Sequence, residues 1–248
     1  MPLTMTDPSR LSTITFLLIV LSVGAFLVLA SLKVADDDAA PHAGRARVLR
    51  ILALILIVGL VIPGILARVG LLDRWEPLPP PAMLMVAAVT LGTIALALGS
   101  FGARLAGGLP LAALVGYQAF RAPLEWVLHR LSVEGVIPVE MTYAGRNFDV
   151  ITGVTALALA LYLIKGRRAR LLVLVWNVIG LILLANIVTV AVLSTPVPFR
   201  AFTNGPPNLL PGVFPWVWLP TFLVQAALFG HLVVFRALAR EARSTGRT

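Results

Sequence analysis

Four side chains able to do chemistry fall within GYQAFRAPLEWVLHRLS, residues 116–132: Gln118, Arg121, Glu125 and His129. Arg121, Glu125 and His129 follow one another at i, i+4 steps, close enough to pair on a helix. A carboxyl and an imidazole at that spacing suit proton transfer, and the guanidinium would either neutralise Glu125 or hold an anionic group. At 100° per residue these four residues and Ser132 share about 80° of arc, so they form one polar stripe.

Just downstream, the stretch MTYAGRNFDVITGVTALALA brings Arg146, Asn147 and Asp149 to the start of another apolar segment. Asn147 and Asp149 are residue types that favour helix N-termini. Asp149, Gly153, Ala156 and Ala160 share one helix face whose small side chains admit a close neighbour. If that neighbour carries the stripe, Arg121, Glu125 and His129 face Asp149 and Arg146. Gln118, Arg121, Glu125, His129, Arg146, Asn147 and Asp149 are therefore the expected binding or proton-relay residues.

The elements that must position them are set by solvent. Of the 248 residues 59% are hydrophobic and only 12% are charged, about half the usual share for a soluble domain, and mean hydropathy is +0.95. A bilayer core about 30 Å thick takes about 20 apolar residues per helix. Runs of that kind lie at 12–32, 50–67, 82–101, 109–130, 148–164, 171–193 and 213–235, which predicts an all-α bundle of about seven spans forming one membrane domain over residues 1–248. The runs are continuous, unlike the short alternating strands of a membrane barrel. The first, apolar from Ile14 to Leu32, exceeds the core of a signal peptide and reads as a span.

Seven spans divide the basic residues unevenly. Thirteen of the twenty Lys and Arg lie on the side of the C-terminus and six on the other, with Arg121 inside the membrane. The N-terminus is thus expected outside and the C-terminus in the cytoplasm of a cell membrane, most simply a bacterial inner membrane. Topology and contact with anionic lipid account for the net charge of +9 without nucleic acid. Trp75, Trp126, Trp216 and Trp218 are expected near the outer boundary and Trp176 near the inner one. The inner connections are short loops, SFGARLAGG among them, and Asp36, Asp37 and Asp38 read as a solvated turn. The proline-rich outer connection TPVPFRAFTNGPPNLLPG would lie as an ordered loop or as a lid across the outer mouth.

Within the fourth span, Pro123 removes one helical hydrogen bond and is expected to kink the helix, or else to restart it after a break at Arg121. Asn177 and Asn186, nine positions apart, serve opposite faces of the sixth span. Gln225 lies near the middle of the seventh, below a turn loosened by Pro220.

Several chemistries are excluded. The chain has no cysteine, which rules out disulfides, thiolate metal sites and iron–sulfur clusters. Its lysines, Lys33 and Lys165, lie at helix ends, so no mid-membrane amine can hold retinal. His129 and His231 are expected at opposite ends of the bundle, too far apart to ligate one haem iron, and His42 lies in a loop. A zinc ion on His129, Glu125 and Asp149 is chemically admissible, yet no metal motif supports it, and no cofactor is expected. Three readings follow: binding or passage of a small polar solute, ion or proton through an inward-facing site in the outer third of the bilayer; an embedded enzyme acting on a lipid or polyprenyl substrate; and an accessory subunit whose stripe is a satisfied ion-pair network. Membrane lipids are partners in all three.

Overall fold

A computed structural model describes residues 4–36, 41–166 and 169–245. Asp37, Asp38, Arg167, Arg168 and Arg247, used above to read loops and orientation, lie outside the described residues. Among the described residues every regular element is helical.

Helix α1 (Arg10–Asp36) starts where Ser9 Oγ accepts from the Ser12 N–H at 3.2 Å, an N-terminal cap. Helix α2 (Pro41–Leu56) runs through a π-helical turn, Ile57–Val61, into α3 (Ile62–Arg68). Helix α4 (Pro81–Leu98) ends at an extended Gly99, and the expected loop SFGARLAGG is instead helix α5 (Ser100–Gly108). Its Phe101, Leu105 and Ala106 are buried among apolar side chains, a reason for that segment to coil rather than extend. Arg236 ties this corner down by donating to the Ala97 and Gly99 carbonyls at 2.6 and 2.7 Å.

The expected fourth span is divided into α6 (Leu111–Gly116), a 3-10 turn at Tyr117–Phe120 and α7 (Arg121–Val133). The irregularity therefore precedes Arg121, and Pro123 sits in the first turn of α7, where a missing N–H costs nothing. Helix α8 (Val150–Ile164) has 15 residues, about 22 Å at 1.5 Å per residue, and α9 (Arg170–Leu193) has 24. The last helix, α10 (Val224–Thr245), is entered through a second π-helical turn, Leu219–Leu223. It thus begins beyond the expected 213. Pro215 and Pro220 cannot donate to a helix there, and Trp216 is buried against Phe16, ring centroids 4.6 Å apart. Trp216 is thus a core residue rather than a headgroup anchor. Trp75 and Trp176 are buried too and Trp218 is half-buried, leaving Trp126 as the exposed one.

Five stretches are long and apolar enough to cross a membrane: Arg10–Ala35, Gly44–Arg68, Pro81–Leu98, Arg170–Leu193 and Leu219–Arg243. Helix α8 is apolar but shorter. The chain is an all-helical membrane protein. Its interior forms two large apolar clusters, one around Phe16, Leu131, Trp216 and Leu223, the other around Phe101, Val115, Val173 and Val234. Along the α6–α7 stretch, α9 and α10 the change from one cluster to the other falls near buried polar residues: Gln118, Asn177 and His231.

Candidate functional site

Close backbone approach builds the site. A Cβ on Gly153 of α8 would lie far inside contact distance of the Ala122 backbone nitrogen and 3.0 Å from its Cα, and one on Gly116 would lie 3.0 Å from the Ala160 methyl. The small face expected from Asp149, Gly153, Ala156 and Ala160 is therefore the seam against the α6–α7 stretch, which brings Asp149 beside Arg121.

Arg121 Nε donates to Asp149 Oδ2 at 2.5 Å and Nη2 donates to Oδ1, a bidentate pair with both residues buried. Arg121 Nη1 meets His231 Nε2 at 2.8 Å. Arginine can only donate, so Nε2 accepts and the ring hydrogen sits on Nδ1, which donates to Asn177 Oδ1 at 2.8 Å. Asn177 Nδ2 donates in turn to the His231 carbonyl at 3.0 Å. Glu125, also buried, accepts from Asn147 Nδ2 at 2.7 and 2.6 Å, while Asn147 Oδ1 accepts the Asp149 N–H at 3.1 Å.

Several expectations change. Arg121 and Glu125 make no ion pair: the carboxylate that Arg121 engages is Asp149, whose two oxygens match the guanidinium fork. Arg146 is exposed and lies over the Phe202 ring, 5.4 Å from its centroid, so it does not face the stripe. His129 is partly buried and stacks on Tyr143 at 4.5 Å, with Nδ1 unpartnered. It does not turn to Glu125, so the zinc set His129, Glu125 and Asp149 is not assembled. Among the described residues no three His, Asp or Glu side chains could hold a metal. Gln118 is buried and donates to the Ala227 carbonyl at 3.0 Å, pinning α10 at the 3-10 turn. Asn186 donates to the Arg146 carbonyl at 2.7 Å, on the other face from Asn177.

Two residues of the network, His231 and Asn177, are not among the expected site residues, although the sequence places Asn177 on one face of its span. Starting the last helix at 213 put His231 at its inner end, whereas the later start carries it twelve residues short of Arg243. Lone polar residues in apolar runs, Asn177 and His231 carry no spacing that says they face each other.

Glu125 differs from the rest in what it faces. Together with Arg121 and Asp149 it lines a cavity of about 440 Å³ whose remaining wall is mainly apolar and comes largely from α4, α7, α9 and α10, with Thr90, Thr195, Asn208 and Gln225 in it. Helices α4 and α9 both pack on α10 and not extensively on each other. The gap between them is the mouth, with exposed Ala87 on one rim and exposed Ala185, Val188 and Val192 on the other. Asn208, Leu210 and Pro211 of the proline-rich connection also line the cavity, held by Asn208 Nδ2 donating to the Ala191 carbonyl at 3.1 Å.

The fold and site together define a helical membrane protein with a charged cavity opening between two apolar helices. Residues 79–239 match the family described as Domain of unknown function (DUF8737), and the chain belongs to that family. The match takes in α4 to most of α10, hence every side chain of the network and the cavity but Trp75. No curated protein and no solved structure matches the chain.

Proposed function

We propose that this protein binds one amphiphilic or hydrophobic molecule drawn sideways from the bilayer into the cavity between α4 and α9. The single observation that carries the reading is the mouth itself. Its rims belong to helices long and apolar enough to cross a membrane, so what reaches it is lipid rather than water. In this reading the chain is a single domain crossing a cell membrane seven times, N-terminus outside, the α6–α7 stretch and α8 supplying the two spans beyond the five long ones. Reporter fusions after Arg243 are then active only in the cytoplasm, and fusions near Pro80 only outside.

The polar groups divide by role. The chain Asn147–Asp149–Arg121–His231–Asn177 is satisfied by its own members, which supports helix positioning more than passage of a polar solute or ion. Glu125 remains available to a ligand. If the bound molecule is a lipid or polyprenyl substrate rather than a carried one, Glu125 is the side chain to act as general base.

Native mass spectrometry of the full chain, titrated with dodecanol, tests the reading. One saturable adduct is expected in the parent protein and in Ile182→Trp, whose position is 61% exposed on α9 away from the cavity. The adduct should be lost in Val188→Trp, where the indole fills the mouth. Equal adducts in all three proteins, or none in the parent, would sink the proposal.

A further inference from the structure

The side-chain atoms left without a partner in the cavity point to acceptors. Among the polar lining residues each donor atom already engages at least one protein acceptor. Trp75 Nε1 donates to Asp73, Thr90 Oγ1 to the Val86 carbonyl, Thr195 Oγ1 to the Val192 carbonyl, and Asn208 Nδ2 to the Ala191 carbonyl. Gln225 Nε2 donates to Thr90 Oγ1 at 3.0 Å and to the Pro220 carbonyl at 2.9 Å. Arg121 engages Asp149 and His231 with one N–H from each of its three nitrogens, and its charge is matched by Asp149.

Glu125 and Gln225, by contrast, leave acceptor capacity free. Glu125 Oε1 and Oε2 share one amide nitrogen, that of Asn147, where a carboxylate can accept about four hydrogen bonds. Gln225 Oε1 is buried without any partner, on a residue only 6% exposed that lines the same cavity. Charge points the same way. The lining holds one cation and two carboxylates, and Asp149 already neutralises Arg121. An anionic headgroup would meet an uncompensated carboxyl and no free cation, whereas a cationic one would complete the balance.

Resting on the cavity reading above, we propose that the ligand is an amphiphile with a protonated amine head, held by Glu125 and Gln225, its apolar body lying along α4 and α9. The ammonium and a proton compete for the same carboxyl, so binding to the protonated form releases one proton from Glu125 and leaves its carboxylate paired with R–NH₃⁺. The charged and titratable groups around Glu125 are Arg121 and His129 on its own helix and Asp149 at the start of α8. His231 of α10 stands behind Arg121, and α4 and α9 present no ionisable side chain to the cavity.

Three ligands with one tail test this: dodecylamine, dodecanol and dodecyl phosphate, titrated into the full chain and read by native mass spectrometry. The parent protein should bind the amine at least about tenfold more tightly than the alcohol or the phosphate. In Glu125→Gln that preference should vanish, the amine falling to the level of the alcohol; Gln225→Leu should weaken the amine selectively. Lowering pH should weaken the amine in the parent protein and leave the alcohol alone, a measurement that stands even if Glu125→Gln folds poorly. Equal affinities for all three, or preference for the phosphate, overturn the amine assignment and leave the cavity reading intact. If no dodecyl compound binds, both fall.

Discussion

Arg121 on α7 and His231 on α10, 110 positions apart in sequence, meet at 2.8 Å through Nη1 and Nε2, and Asn177 holds the far side of the imidazole. The contact joins three helices in one buried polar layer, and the bidentate grip on Asp149 adds α8 as the fourth.

A double-mutant cycle measures that layer. Arg121→Met leaves Asp149 buried without its cation and should cost on the order of 3–5 kcal/mol, whereas Arg121→Met with Asp149→Leu should cost clearly less than the two single changes together. Arg121→Met and Glu125→Gln should be closer to additive, because Glu125 is held by Asn147. Thermal melts in detergent give both cycles. Strong coupling in the second and none in the first would mean that Arg121 pairs with Glu125 after all.

The α7–α8 seam makes a second prediction. Gly153→Ala puts a methyl into the Ala122 backbone, which cannot yield as a flexible side-chain end would, so folded yield should collapse. Gly92 on α4 has open space around its Cβ position, and Gly92→Ala should be neutral or stabilise by up to about 1 kcal/mol. Gly166 is a poorer control, because its φ of +74° strains any side chain there. Similar yields for Gly153→Ala and Gly92→Ala, by size-exclusion profile, would refute the seam.

Just beyond the end of α7, Glu134 anchors the start of α1. Burial pushes its carboxyl up, but hydrogen bonds from the Ser9 N–H, the Ser9 and Ser12 hydroxyls and Arg130 outweigh that and hold it below the usual carboxylate range. A depressed carboxyl adds stability above its unfolded value of about 4.5 and loses it as pH falls through the lower folded value. Melts of the parent protein should therefore drop below about pH 4.5 by a step that Glu134→Gln lacks, with protection of the first turn of α1 in hydrogen exchange lost over the same interval. An identical acid limb in both proteins would show that the clamp contributes nothing.

Composition and hydrophobic run length were enough to establish a helical membrane protein, because only a hydrocarbon solvent tolerates so many long apolar runs with so few charges. Helical periodicity likewise grouped Arg121 with Glu125 on one face, and the small residues from Gly153 to Ala160 marked where a neighbour comes close. Both are local properties, decided by spacing along one helix. Which carboxylate Arg121 would grip was not local. Glu125 at i+4 and Asp149 across the seam were both within reach, and the bidentate geometry available only across the seam decided it. The same holds for His231, whose depth depends on where α10 begins, and for the cavity, which exists because α4 and α9 both lean on α10 without closing on each other. Relations between helices depend on packing at distances that a one-dimensional pattern does not carry, so the donors already engaged, and the acceptor capacity left on Glu125, came into view only with the tertiary structure.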